Sequence, residues 1–493
     1  MTRLAIALAT CAVLATTVGT AGDAAPSART GPVVTHGIAV GDVTATSAVL
    51  WARADRESVL NVVLSGGPHR RVFSSPVVRA HDLTTSIELT ALAPDTTYRV
   101  RAWLSLGARG VGHGPAVTGS FRTAPENEDT APVRLAFGGD ISGQNVCRDL
   151  DEGIPIADTI REWRPDVFVG LGDMIYADSA CDPLGRYGNA QVPGGFGPAV
   201  DLAGFWAHWR YNRVDRGLQE LLASASYVGV WDDHEVVNDF GPRTAAPTTS
   251  PYTGADLFPL GRQAFVDYTP LTSGGSRLYR SLRWGKHLEL FVLDTRSFRD
   301  ANSALDDPAR PKTMLGPQQL AWLKQGLAAS NATWKVVVSS VPMSIPTGFP
   351  PTNGRDGWAN FDQATGFERE LLDILRFMQS HGVERPVWIT TDVHFAEAFR
   401  YRPFADDPSF VVHELATGPL NAGIFPTRAF DETLHPEVLG FVGPESAEAV
   451  GTWDEAKRWL NFGTLEIRGD GTLALGIVNT AGERLFSHTL PAP

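Results

Sequence analysis

VFVGLGDMIYAD, running from Val167 to Asp178, is an apolar run that stops abruptly at a carboxylate. Val167, Phe168, Val169 and Leu171 predict a short buried strand, which Gly172-Asp173 ends. In open α/β folds that end of a strand faces the ligand crevice, and glycine there lets backbone approach closely. One Asp in such a place also serves as a plain turn or helix cap, so a single run decides nothing. Three more runs end the same way. VRLAFG, Val133 to Gly138, stops at Gly139-Asp140; YVGVW, Tyr227 to Trp231, stops at Asp232-Asp233-His234-Glu235; PVWITT, Pro386 to Thr391, stops at Asp392-Val393-His394. The four ends deliver Asp and His with no Lys or Arg among them. Converging carboxylates repel one another unless positive charge sits between them, and a metal centre supplies it. Oxygen and imidazole ligands without thiolate suit Zn, Mn, Fe or Ca and do not choose among them.

The chain has 493 residues, more than one ordinary domain of about 100 to 200, so one small and one large domain are expected. A net charge of −13 disfavours general binding to nucleic acid or anionic membrane. A phosphorylated small molecule remains compatible, because a metal would supply local positive charge. Arg3, the Ala/Leu/Val-rich run from Leu4 to Val18, and the small residues after it predict a signal peptide over residues 1–28. No twin Arg precedes that run, so the general secretory route and a secreted or cell-envelope protein are expected. The run is too short and too rich in Ala and Thr for a stable membrane span. Two cysteines then remain, Cys147 and Cys181, each shortly beyond a carboxylate-bearing strand end. A disulfide linking the two loops is the favoured reading, with free thiols or a thiolate ligand as alternatives.

Residues 33–125 are short β runs broken by Gly, Pro, Asn and Asp, among them Ala48 to Trp51, Leu60 to Leu64 and Tyr98 to Leu104. Leu92 to Tyr98 (LAPDTTY) has the form of the tyrosine corner of an immunoglobulin or fibronectin-type sandwich. From residue 131 to 490 strands alternate with helical stretches: Ile156 to Trp163, Leu202 to Ala223, the run opened by Pro317, and Phe367 to Gln379. Further strands are expected at Leu288 to Leu293, Trp334 to Val341 and Phe410 to Val412, and a closing hairpin turns at Gly469-Asp470-Gly471. The predicted fold is an α/β sandwich of two sheets with helices outside, preceded by a small all-β domain. Long Gly/Pro-rich loops at Asp182 to Pro198, Gly241 to Gly254 and Ser344 to Trp358 are expected to wall the site.

The blocks GDMIYAD from Gly172, WDDHEVVND from Trp231, DTRSFR from Asp294, MLGPQQLAWL from Met314, SSVPM from Ser339 and TTDVHFAEA from Thr390 resemble, in order, the PhoD family of alkaline phosphatases and phosphodiesterases. HGIAVGDVTATSAVLWAR, from His36, resembles that family's leading β domain. The resemblance implies a metallophosphatase fold and metal-dependent hydrolysis of phosphate esters. Asp173 would bridge metal ions, Asp140 would bind one, and Asp233, Asp392 and His394 would complete the set. It also makes Tyr176 and Tyr211 candidate phenolate ligands to ferric iron, with aromatic packing as the alternative for each. The family's thiolate ligand, in a Ser-Cys-Gln context after the first strand, is missing: Gly139-Asp140-Ile141 stands there, and a harder carboxylate shifts metal choice.

His234 is the candidate to protonate a leaving alkoxide or hydrogen-bond the phosphate. Arg296 is the candidate phosphate grip, with a structural pairing to Asp294 or Asp300 as its alternative. Glu235 and Glu414 are read as partners that orient ligands. Two further functional readings are a phospholipase D-like diesterase and a non-catalytic extracellular binding protein with a degenerate site. The second predicts ligands missing from the strand ends, and the ends are filled.

Overall fold

The computed structural model describes residues 31–107, 112–243, 252–348, 350–426 and 429–492. The expected signal peptide lies outside the described residues. Seven strands open the chain: β1 (Val34–Gly41), β2 (Ala48–Ala54), β3 (Ser58–Ser65), β4 (Arg71–Val77), β5 (Thr84–Leu89), β6 (Thr97–Ser105) and β7 (Val117–Arg122). The hydroxyl of Tyr98 accepts the backbone N–H of Ala93 at 2.9 Å, so the tyrosine corner forms.

The larger part contains β8 (Val133–Gly138), β9 (Val167–Gly170), β10 (Ser226–Gly229), β11 (Arg280–Trp284), β12 (Leu288–Val292), β13 (Trp334–Val338) and β14 (Val387–Thr390). It is completed by β15 (Ala396–Tyr401), β16 (Val412–Ala416), β17 (Pro436–Val442), β18 (Asn461–Ile467), β19 (Leu473–Asn479) and β20 (Arg484–Leu490). One sheet runs β20-β19-β18-β8-β9-β10-β1-β2-β5, a second runs β11-β12-β13-β14-β16-β15-β17, and a third runs β4-β3-β6-β7. Strands β8, β9 and β10 are parallel neighbours, as are β12, β13, β14 and β16.

Period-two alternation divides the side chains between layers. Leu135, Phe137, Val167 and Val169 meet Val336, Val338, Val387 and Ile389 between the two large sheets. Each such buried side chain contributes about 1.5–3 kcal/mol. The opposite faces carry Phe168 and Tyr227 toward helices α1 (Pro155–Trp163), α2 (Leu202–Arg213), α3 (Arg216–Leu222) and α4 (Gly254–Tyr268). Val337 and Trp388 point the other way, toward α5 (Gly316–Ala329) and α6 (Glu368–Ser380). The layers are therefore helix, sheet, sheet, helix.

The structure departs from the sequence reading in three places. The leading β segment shares a sheet with strands of the larger part: β1 pairs in parallel with β10, Val40 opposite Ser226 and Gly41 opposite Tyr227. The stretch Leu202 to Ala223 is two helices, because Asp215 caps a new one by accepting the Leu218 N–H at 2.9 Å. Helix α4 begins where a loop was expected to end and holds Pro259 within its second turn; Thr253 and Asp256 start it as a capping box.

Candidate metal centre and its cleft

The parallel strands all end at one edge of the sandwich, and the predicted carboxylates lie just beyond them. Asp140, Asp173, Asp392 and His394 adopt positive φ angles of 67°, 51°, 78° and 59°. Non-glycine residues held there cost energy, and four at one site mark a backbone constrained by what it must present. Gly172 has φ +115°, and a Cβ on it would lie 2.5 Å from Cβ of Asp232. Glycine at 172 is thus what lets the β9 and β10 ends touch.

Asp173, Asp232, Asp233 and Asp392 each bring one carboxylate oxygen to within 4.8 Å of the others. Asp173, Asp233 and His234 form an overlapping group, as do Asp233, Asp239 and Asp356. Oδ2 of Asp173, of Asp232 and of Asp392 is buried without a hydrogen-bond partner. Burial first, and then the neighbouring carboxylates, hold the Asp173 and Asp392 acids well above the usual carboxylate range. Buried carboxylate oxygens without a donor are costly, and a cation among them relieves both desolvation and repulsion. The donor set therefore fits a metal ion.

Asp140 lies beside this group with Tyr176 and His394. The Tyr176 hydroxyl donates to Asp140 Oδ1 at 3.1 Å and stands 3.0 Å from His394 Nε2, while Thr391 donates to Asp140 Oδ2 at 2.6 Å. His394 Nδ1 is 2.5 Å from the Gly423 carbonyl, which only accepts, so Nδ1 carries the proton and Nε2 the lone pair. Burial lowers the His394 pKa and keeps the ring neutral, the form a metal ligand needs.

His234 has the opposite charge state. Burial opposes its protonation, yet Asp178 and Asp233 outweigh it and push the pKa up to about 10. Asp178 Oδ1 stands 2.7 Å from Nδ1, which leaves Nε2 for a ligand, and the ring stacks 4.1 Å from that of Tyr176. Glu235 is a backbone clamp: its carboxylate accepts from the N–H groups of Asp173, Met174 and Asp232 at 3.0, 2.8 and 2.7 Å. Glu414 similarly takes the Met343 N–H and the Thr390 hydroxyl, each at 2.9 Å.

Two sequence-predicted site residues are placed elsewhere. Arg296 is fully buried and does not face the cleft. Its Nε bonds Asp232 Oδ1 at 2.5 Å and its Nη atoms grip both oxygens of Asp356 at 2.8 Å, so it neutralises carboxylates from behind. Tyr211 packs on the Cys147–Cys181 disulfide, donates to the Val192 carbonyl at 2.6 Å and accepts the Arg148 N–H at 3.2 Å. With its hydroxyl saturated there, it is not a phenolate beside the cluster. The disulfide, with Cα atoms 5.9 Å apart, closes the segment that carries Asp173, Tyr176 and Asp178.

Sequence reasoning missed Asp178, Asp239 and Asp356. Asp178 closes the opening VFVGLGDMIYAD stretch, and Asp356 sits in a loop expected to wall the site, so both were in view without a signal of direction. Beside Tyr176, a Cβ on Gly143 would lie 2.4 Å from the ring, so the Ser142-Gly143-Gln144 turn has no room for a side chain there.

The cluster opens into a cavity of about 650 Å³. Asp233, His234, Asp239, Asp392 and His394 form its floor; Ile345, Pro346, Val393 and Phe425 give it apolar walls. The loop from Ser344 to Trp358 supplies much of that wall. Gly241 to Gly254 is mostly outside the described residues.

Two sheets face to face under outer helices, with carboxylates and histidine at the parallel strand ends, define a metallophosphatase-like protein. The chain belongs to the PhoD-like phosphatase family: the model of that family matches residues 136–468, and the model of its N-terminal domain matches residues 19–125. Alkaline phosphatase D of Bacillus subtilis (strain 168) is 25% identical over 415 residues, spanning 76% of this chain and 66%, just under two thirds, of that relative. The solved structure of PhoD superposes with a TM-score of 0.72 at 18% identity over 93% of each chain. Purple acid phosphatase PPD1 from yellow lupin (Lupinus luteus) superposes at 0.60 and 12% identity, over 94% of this chain and 74% of that one. At those identities the two structures speak to fold alone. Among the described residues no helix is long and apolar enough to cross a membrane.

Proposed function

We propose that this chain is an exported, metal-dependent hydrolase of small phosphate mono- and diesters. The observation that carries the reading is the trio of buried, partnerless carboxylate oxygens on Asp173, Asp232 and Asp392, in a cluster whose members Asp233 and Asp392 line an open cavity. Family membership supplies the substrate class, and the predicted signal peptide supplies export.

Asp173, Asp233, Asp392, Asp140 and His394 would hold metal ions, with Asp173 central. Iron, calcium, zinc and manganese all suit such ligands. A metal held by these residues would supply Lewis acidity, a lowered pKa for water and neutralisation of charge on phosphoryl oxygens. The chain does the rest. Glu235 fixes the backbone from which Asp173 and Asp232 project. Arg296 compensates Asp232 and Asp356 from below. His234, kept protonated by Asp178, presents Nε2 to the cavity and gives its proton to the leaving alkoxide. The apolar walls receive the organic part of the ester and exclude water. A degenerate binding protein would have lost strand-end ligands, and each of the four ends retains its carboxylate.

Steady-state turnover of an aryl phosphomonoester and a bis-aryl phosphodiester by the purified chain is the test. Hydrolysis of at least one supports the reading; no turnover of either under metal-replete conditions refutes it.

A further inference from the structure

The geometry points to Arg355 as the phosphate-binding cation of this cavity, the part that the sequence assigned to Arg296. The inference deepens the phosphoesterase reading and rests on it for the identity of the anion.

The cavity floor is strongly acidic, so an incoming phosphate needs positive charge from the chain as well as from a metal. Among the described residues of the lining, Arg355 is the one Arg or Lys side chain. Arg296 is closed off below the floor by Asp232 and Asp356. Arg355 is only 6% exposed, yet it lines the cavity. Its Nε is buried with no hydrogen-bond partner. An arginine is planar and always charged, and a buried donor without an acceptor is costly unless a ligand supplies one.

The side chain is also held in place. One Nη bonds Asp362 Oδ1, the guanidinium lies 5.7 Å over the Phe361 ring, and the backbone N–H bonds the Thr365 hydroxyl at 3.0 Å. Asp356, the next residue in the chain, belongs to the carboxylate group with Asp233 and Asp239. Arg355 lines the same cavity as Asp233, His234 and Asp239. A fixed guanidinium with its Nε free suits a non-bridging oxygen of a phosphate ester or of the phosphate product. Asp362 is a positioning residue: it holds one arm of the fork.

The test is calorimetric binding of inorganic phosphate to the metal-loaded full chain, for wild type, Arg355→Ala and Arg355→Lys, with metal content and thermal midpoint recorded for each. Steady-state KM and kcat on the two aryl esters accompany it. Loss of a charge-assisted hydrogen bond predicts a weakening of phosphate binding by roughly tenfold or more in Arg355→Ala, with partial recovery in Arg355→Lys. KM should rise in parallel while metal content is unchanged. Phosphate affinity within twofold of wild type in both variants, at equal metal content, overturns the inference. If Arg355→Ala fails to fold, Arg355→Lys decides alone: it keeps the charge but not the planar fork, so an unchanged affinity counts against the assignment. A wild type that binds phosphate through Arg355 but turns over neither ester retains the inference and removes the phosphoesterase reading; an active wild type whose phosphate affinity ignores Arg355 does the reverse.

Discussion

Asp178 Oδ1 lies 2.7 Å from His234 Nδ1, tying the last residue of the VFVGLGDMIYAD stretch to the block that ends β10. The pairing fixes the ring and its charge. With Nδ1 held by Asp178, Nε2 is the ring atom left to give a proton to a leaving group in the cavity that His234 lines. His234→Ala should lower kcat by roughly a hundredfold or more on an alkyl phosphate ester, and by much less on a nitrophenyl ester, whose leaving group needs no proton. Asp178→Asn should show a smaller loss of about tenfold. Equal losses on both esters would remove the proton-donor role.

Removing Asp173 trades function for stability. Its acid is raised by burial and by Asp233, so between the ordinary carboxylate range and its folded value the native state binds more protons than the unfolded one. Without metal, stability therefore falls as pH rises through that window. Metal-free Asp173→Asn should melt a few degrees above metal-free wild type at pH 7, while its metal loading and ester hydrolysis are abolished. A melting scan with and without chelator checks it.

Arg296→Ala should damage the fold and not the KM. It would strand Asp232 and Asp356, both fully buried, and breaking buried pairs of this kind costs about 3–5 kcal/mol. Denaturant midpoints should show the loss. A stable variant with a raised KM would return Arg296 to the substrate.

The Cys147–Cys181 bond closes a segment with a sequence separation of 34. Loop entropy alone assigns it about 4 kcal/mol. Replacing both cysteines with serine should lower stability by that order, and mass after reduction and alkylation should confirm the pairing in the native chain.

Acid should destabilise the chain through three buried histidines. Burial first lowers His36 to about 3, and His208 and His413 to about 4. Between those values and the ordinary 6.5 the unfolded chain binds more protons, so this stability is present above pH 6.5 and is lost as pH falls toward 4. His208→Gln should flatten the fall in thermal midpoint over that range; an unchanged slope would exclude His208 from it.

Strand ends were the legible part of this chain. A continuous apolar run, buried on both faces, that halts at Asp fixes both the strand and the edge of the sheet at which the carboxylate emerges, which is why Asp173, Asp233 and Asp392 meet. Direction beyond the end is not legible. Arg296 comes a few residues after β12, as Asp140 comes after β8, yet it turns below the floor because Asp232 and Asp356 attract it there. Tyr211 shares a helix with residues facing several ways, and only the packed disulfide shows which way it points. Asp178, Asp239 and Asp356 enter through loop geometry that no periodicity encodes. The fold was readable to a similar depth: apolar runs and turn-bounded β runs predicted the sheets, while the parallel pairing of β1 with β10, a contact across more than 180 residues of chain, left no local signature.

The central claim is that the strand-end carboxylates exist to hold metal for hydrolysis. Elemental analysis of the chain purified without chelator, paired with bis-aryl phosphodiester turnover before and after metal stripping and repeated on Asp173→Asn, addresses it directly. The account predicts one or more equivalents of metal in the wild type, activity lost on stripping and regained on reloading, and neither metal nor activity in the variant. Full hydrolysis by a metal-free chain, or a metal-loaded Asp173→Asn that still turns over, would contradict it.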